Sequence, residues 1–260
     1  MNIHYISLLN QWEAEKKDLM PIIEKALSTG HYVNTTAKIN EKFEKNIAAL
    51  CNTKYAVTLN SGTDALFFAL YLLNVRRGDE VITVSNSFIA TTAVIVQLGA
   101  KPIFVDVCDD QNINVELVEK VITDKTKAIL PVHLTGRIAD MNKIMKIAKK
   151  YNIPVIEDAA QAIGSLYYNK PSGSFGKIGC FSTHPLKNLN ACGDGGFITF
   201  NDRNIYERAD NLRSHGLVNR NKSTEFGFVS RMDSVQAAIL DYRLTKLNDV
   251  IMKRRENAKF

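Results

Sequence analysis

From Tyr55 onward, short runs of β-branched and aliphatic residues alternate with longer stretches whose apolar positions recur at helical spacing. Residues 55–59, 81–84, 102–107, 127–133 and 153–157 read as strands, each too short for a stable helix and bounded by polar or glycine positions. Between them, 65–73 is apolar almost all round and 93–98 ends at Gly99. Residues 115–122 follow Asn114 and 141–151 follow Asp140, side chains of the kind that cap free helix amides. Strands alternating with helices predict a mainly parallel sheet covered on both faces, an α/β architecture in three layers.

Past residue 165 the pattern shifts to short, glycine-punctuated strands at 180–184 and 196–200, then a helix over 205–214 closed by Gly216. The polar stretch 217–228 predicts a mobile loop. Residues 231–259 read as one long amphipathic helix, with Met232, Val235, Ala238, Ile239, Leu244, Leu247 and Ile251 along its apolar stripe. No internal repeat or low-complexity tract interrupts this order.

Composition narrows the function classes. A hydrophobic content of 45% beside 23% charged residues is that of a globular protein, and no apolar run reaches the roughly 18 residues a membrane span requires. Residues 1–10 lack the basic flank and apolar core of an export signal, so a cytoplasmic location is expected. Cys51, Cys108, Cys180 and Cys192 show neither CxxC nor zinc-finger spacing, which predicts reduced core thiols and no structural metal. The net charge of +6 is spread out, and its clusters at 143–150 and 253–255 fall on predicted helix surfaces. It suits anionic small molecules better than nucleic acid, for which no module is present.

Three segments carry candidate chemistry. Asn60, Ser61, Gly62, Thr63 and Asp64 join a strand to a helix, where free amides either hold an anion or are simply capped. Asp158 ends a buried strand at the edge where open α/β sheets bind ligands, with Gln161 one turn beyond; a plain helix cap fits it equally well. Lys187 lies in a loop between two short strands, after Ser182 and before the run Gly193, Asp194, Gly195, Gly196. A lysine is ordinarily a solvated surface charge, so alone it says little.

The order of blocks is more specific than any one of them. Ser61 to Leu66 (SGTDAL), Gly78 to Ile82 (GDEVI), Gly99 to Pro102 (GAKP), Pro131 to Leu134 (PVHL), Glu157 to Gln161 (EDAAQ), Lys187 to Leu189 (KNL), Gly193 to Gly196 (GDGG) and Ser230 to Asp233 (SRMD) with Gln236 to Ala238 (QAA) form one series. This series resembles the DegT/DnrJ/EryC1/StrS family of sugar aminotransferases, within the aspartate-aminotransferase-like, fold type I group of pyridoxal-phosphate (PLP) enzymes. The resemblance runs from about residue 5 to the end. It implies a three-layer α/β/α PLP-transferase large domain with a mainly parallel mixed sheet over residues 1–250, including an N-terminal helical segment. Residues 251–260 would then begin a C-terminal small domain that is truncated.

It also implies roles. Lys187 would form the Schiff base with PLP and move the proton during transamination, which needs an amine more acidic than a free lysine at about 10.4. Asp158 would pair with the pyridinium nitrogen, and Gln161 would bond the phenolic oxygen. Gly62, Thr63 and Ser182 would cradle the phosphate. Phe88 would lie over the ring, where plain core packing is the other reading. His184 is expected to be wall rather than catalyst. Dehydratases of the same family replace the lysine with histidine, so Lys187 points away from them. Glutamate is the implied donor, a nucleotide-linked keto-sugar the implied acceptor, and a homodimer the implied assembly. The Gly193–Asp194–Gly195–Gly196 run leans toward a 3-keto acceptor, since members aminating C4 often carry Glu at its second position.

Two departures stand out. Where the family carries an asparagine that reaches the partner subunit's cofactor phosphate, this chain has Val229, whose side chain donates no hydrogen bond. The chain also ends just after the long helix, which leaves open a homologue that binds PLP or a nucleotide-sugar without turnover. A nucleotide-sugar oxidoreductase is remote, because no GxGxxG run is present.

Overall fold

The computed structural model describes residues 7–33 and 38–259. Two helices open it, α1 (Leu8–Ser28), capped by Ser7, and α2 (Lys38–Leu50). The alternating unit then begins: β1 (Tyr55–Leu59), α3 (Gly62–Leu72), β2 (Glu80–Val84), α4 (Ile89–Gln97), β3 (Lys101–Val105), α5 (Val115–Val118), β4 (Thr126–Ile129), α6 (Met141–Tyr151) and β5 (Ile156–Asp158). A small hairpin follows, β6 (Leu166–Tyr167) and β7 (Lys170–Pro171), then β8 (Ile178–Ser182), β9 (Gly196–Phe200) and α7 (Arg203–Leu212). The chain continues through β10 (Leu217–Asn219) and β11 (Lys222–Ser223) to α8 (Ser234–Leu244) and α9 (Leu247–Asn257).

The predicted caps are in place. Asn114 accepts from the Glu116 amide, and Asp140 from the Lys143 amide at 3.2 Å. The helix after Asn114 is only one turn of α-helix before it tightens into a 3₁₀ turn over Glu119–Val121.

Pairing gives one seven-stranded order. Strands β3, β2 and β4 are parallel neighbours; β5 pairs parallel with β8, while β9 runs antiparallel between β8 and β1. Parallel bridges Ile129–Val155 and Val132–Asp158 join the two groups between β4 and β5. The order is therefore β3-β2-β4-β5-β8-β9-β1, with β9 alone reversed.

Alternation along the strands sorts side chains into two cores. On one face Val57, Leu59 and Ile198 pack with Leu66, Leu70, Val94 and Leu212 of α3, α4 and α7. On the other, Ala56, Phe181 and Phe197 meet Phe43, Ile47 and Leu240 of α2 and α8, while Ile82 and Ile129 meet Val118 and Ile144 of α5 and α6. This is the three-layer α/β/α arrangement with a mainly parallel mixed sheet.

Four details differ from the sequence reading. The helix expected over 231–259 is broken at Thr245 and Lys246, whose amides bond back only three residues, to Tyr242 and Arg243 at 3.0 Å. The apolar stripe hides this break because both halves bury residues on one side, Leu240 before it and Leu247 after it. The loop expected over 217–228 contains the β10–β11 hairpin and is anchored: Glu225 makes a two-point ion pair with Arg208, and Phe228 packs on Phe67, Phe68 and Tyr71. The strand expected over 127–133 is regular only to Ile129 and continues as isolated bridges. Finally, all four thiols are free, but Cys108 and Cys192 are exposed rather than in the core. No described helix is long and apolar enough to cross a membrane.

Candidate active site

The carboxyl ends of β1, β4, β5 and β8 lie along one edge, and the reversal of β9 brings its first residue there too, since Gly196 pairs with both Ser182 and Leu59. These ends surround a cavity of about 300 Å³. All seven residues singled out from sequence line it: Gly62, Thr63, Phe88, Asp158, Gln161, Ser182 and Lys187.

Asp158 is buried, only 4% exposed at the end of β5. Its Oδ2 accepts from the Thr91 hydroxyl at 2.7 Å and its Oδ1 from the Ala160 amide at 3.2 Å. Burial pushes its pKa up, and these two hydrogen bonds, with His133 and Lys187 nearby, offset the rise only in part. A carboxylate so placed lacks a full partner and is poised to gain one from the cavity.

Lys187 is half-buried on the loop after β8. Partial burial lowers its pKa, against a smaller opposing pull from Asp158. The loop itself is well held. Its Lys187 amide bonds the His184 carbonyl at 2.8 Å, and Asn190 donates to the Pro185 carbonyl at 3.0 Å. Arg243 of α8 grips the Asn190 carbonyl at 2.7 Å while pairing with Glu15 of α1. Distant helices thus fix where the amine sits.

Another part of the cavity wall is a close backbone approach. A methyl group on Gly62 would stand 2.5 Å from the Ser182 Cβ, so only glycine lets α3 begin against β8. A methyl on Gly196 would strike the Ser61 carbonyl at 2.3 Å. The Ser61 hydroxyl caps the Asp64 amide at 3.0 Å, which leaves Gly62 and Thr63 amides at an open helix N-terminus facing Ser182.

Phe88 stands at the mouth, 74% exposed, so it is not packed in the core. Gln161 accepts from the Thr135 amide at 2.7 Å through Oε1, which orients its NH₂ as the free donor. Thr135 is held at φ 53°, a conformation unusual outside glycine and one that costs about 1–3 kcal/mol. His184 is exposed at the rim and accepts from the Leu186 amide at 3.3 Å through Nδ1. It forms no ion pair with a carboxylate among the described residues.

Sequence reasoning missed several residues here. Thr91 and Ser87 are joined at 2.7 Å, and their i, i+4 spacing at a helix start was the available signal. His133, fully buried, bonds Glu157 at 3.1 Å, and Glu157 in turn accepts from the Gly173, Phe175 and Gly176 amides. No local pattern announces that pair. Val229 is exposed, whereas its neighbour Ser230 is buried and bonded to Asn60, the residue before Ser61.

The comparisons with known proteins agree on the family. A pleiotropic regulatory protein of Geobacillus stearothermophilus is 39% identical, over 99% of this chain and 69% of its own. A UDP-N-acetyl-3-dehydro-alpha-D-glucosamine 3-aminotransferase of Acidithiobacillus ferrooxidans is 45% identical, over 76% of this chain and 54% of its own. Among solved structures, DesV of S. venezuelae, captured with a ketimine intermediate, superposes with a TM-score of 0.91 at 37% identity, covering 95% of this chain and 66% of that one. The chain therefore spans between 54% and 69% of the length of these relatives. With a fold, a cavity and a family model matched over residues 13–260 all in agreement, the chain belongs to the DegT/DnrJ/EryC1/StrS aminotransferase family.

Proposed function

We propose that this protein is an aminotransferase that uses pyridoxal 5′-phosphate to move an amino group from glutamate to a nucleotide-linked keto-sugar. One observation carries the reading: a buried acid, Asp158, and a partly desolvated amine, Lys187, face a single cavity that is also lined by the Gly62–Ser182 approach. The cavity of about 300 Å³ lies at the small end of the range for ligand pockets, roughly 300–1,000 Å³.

The donor set fits the cofactor. Gly62, Thr63 and Ser182 offer an anion site for a phosphate, Asp158 a carboxylate for a protonated ring nitrogen, Lys187 an amine for an aldehyde, and Gln161 a free donor for a phenolic oxygen. Exposed Phe88 supplies an aromatic face at the mouth. When bound, the cofactor supplies an electron-withdrawing ring. Asp158 keeps that pull available, because a carboxylate about 4 Å from a cation contributes on the order of 4 kcal/mol at an effective dielectric of 20. Lys187 moves the proton: burial shifts its Nζ toward the neutral form that accepts one from the substrate carbon and later returns it.

Several parts of the reading rest on resemblance rather than geometry: glutamate as donor, a homodimer, and a cytoplasmic location. The same is true of a body over residues 1–250, with 251–260 leading toward a smaller domain. The Asp194 form of the glycine run, with the 3-amination in the name of the Acidithiobacillus ferrooxidans relative, supports a 3-keto acceptor. Mixing purified protein with PLP and following its visible absorbance tests the proposal. The colour should bleach with glutamate and return with a UDP- or dTDP-linked 3-keto-sugar. Protein that takes up PLP yet transfers no amino group to any such sugar overturns it.

A further inference from the structure

We propose that Thr91, with Ser87 behind it, is a positioning residue that holds Asp158 ionised and aimed into the cavity. The inference rests on the reading of Asp158 as the partner of the ring nitrogen. Thr91 is 1% exposed on α4, and its hydroxyl lies 2.7 Å from Asp158 Oδ2, across 67 residues of sequence. Ser87 Oγ lies 2.7 Å from the same Thr91 oxygen.

Valence fixes the direction of this chain. An ionised carboxylate only accepts, so the single hydrogen of Thr91 is spent on Asp158. Ser87 must then donate to Thr91, and it presents lone pairs to the cavity it lines. Helical threonines ordinarily turn the hydroxyl back onto a carbonyl of the preceding turn. Thr91 turns it onto Asp158 instead, which a residue serving only to fill space does not require.

The other groups facing Asp158 do not substitute for this bond. The Ala160 amide reaches the other carboxylate oxygen at 3.2 Å. Lys187 approaches from the loop after β8 and His133 from the segment after β4, but among the described residues neither makes an ion pair with Asp158. The buried Cys180 thiol stands beside it in register on β8, and the next acid, Glu157, is tied to His133. Thr91 is therefore the side chain that stabilises the charged form directly, and hydrogen bonds to charged groups are the stronger kind.

The test compares Thr91→Val, which keeps the shape and loses the hydroxyl, with Thr91→Ser, which keeps it, and uses Asp158→Asn as reference. Two readouts are taken: the Asp158 carboxyl titration in the cofactor-free protein by ¹³C NMR, and PLP affinity at neutral pH by fluorescence titration. T91V should move the Asp158 midpoint up and weaken PLP about tenfold, while T91S stays close to wild type on both. If D158N weakens PLP but T91V leaves midpoint and affinity unchanged, the role given to Thr91 is wrong. If T91S behaves like T91V, packing rather than the hydroxyl is at work and the proposal also falls. If D158N binds PLP like wild type, the fault lies with the reading of Asp158 itself.

Discussion

Arg213, at the end of α7, and Asp158, at the end of β5, are both buried charges, yet one is enclosed by partners and the other is left short of them. The Arg213 guanidinium meets Glu44 at 2.6 Å, the Thr58 carbonyl at 2.9 Å, the Thr58 hydroxyl at 3.1 Å and Asp210 at 2.9 Å. Glu44 closes the ring by accepting from the Thr58 amide at 2.9 Å. Burial opposes the Arg213 charge, but Glu44 and Asp210 outweigh it and hold its pKa above the ordinary value. At Asp158 burial wins, and the pKa is raised. The contrast separates a structural tie, which joins α2, β1 and α7, from a site that awaits a ligand.

The largest effect that would break this contrast is at Lys187. Lys187→Ala should lower turnover at least about a thousandfold and remove the colour of lysine-bound PLP, with an unchanged melting curve. Persistence of the colour would show that another amine holds the cofactor.

Arg213→Met comes next. Removing one partner of a buried ion pair costs about 3–5 kcal/mol, and so should lower the melting temperature by roughly 10 °C in a chain of this size. Below that temperature, PLP uptake should match wild type. A loss of turnover without a loss of stability would move Arg213 into the functional class.

Asp158→Asn should cut turnover about a hundredfold while making the cofactor-free protein more stable at neutral pH, by about 1 kcal/mol. The sign follows from the raised pKa. Between the ordinary carboxylate value of 3.8 and the raised one, the folded protein holds a proton that the unfolded chain has lost. Stability therefore falls as pH rises through that window and stays reduced above it. Thermal melts of both proteins across pH would check this; parallel curves would mean that Asp158 carries no strain.

The smallest effect sharpens the anion end. Gly62→Ala should weaken PLP about tenfold, because the new methyl meets the short Ser182 side chain. Pairing it with Ser182→Gly should recover part of the melting temperature lost to the clash but not the PLP affinity, to which Ser182 contributes; no thermal recovery would place the clash elsewhere.

The sequence made much of this site legible, but unevenly. Glycine, serine and lysine pointed to the cavity through the order of their blocks, which resembles a known family; taken singly, each fitted a plain cap or a surface charge as well. Thr91 was barely legible: its spacing from Ser87 was a signal, but nothing in the segment from Ile89 to Leu98 shows that one hydroxyl reaches a different strand. The break at Thr245 was hidden for the opposite reason: a continuous stripe implied a continuous helix, although two helices in sequence can bury the same side.

What the sequence determined by itself was the alternation of strands and helices from β1 to β5, with caps at Asn114 and Asp140 and the β-period runs of the sheet. These follow from interactions spanning one turn or one strand. Tertiary structure alone decided the strand order β3-β2-β4-β5-β8-β9-β1, and with it which residues meet. Gly62 against Ser182, Thr91 on Asp158 and Arg213 on Glu44 join segments far apart in the chain, the last pair 169 residues apart. Local pattern sets which face a side chain takes; the register between strands sets what stands opposite it.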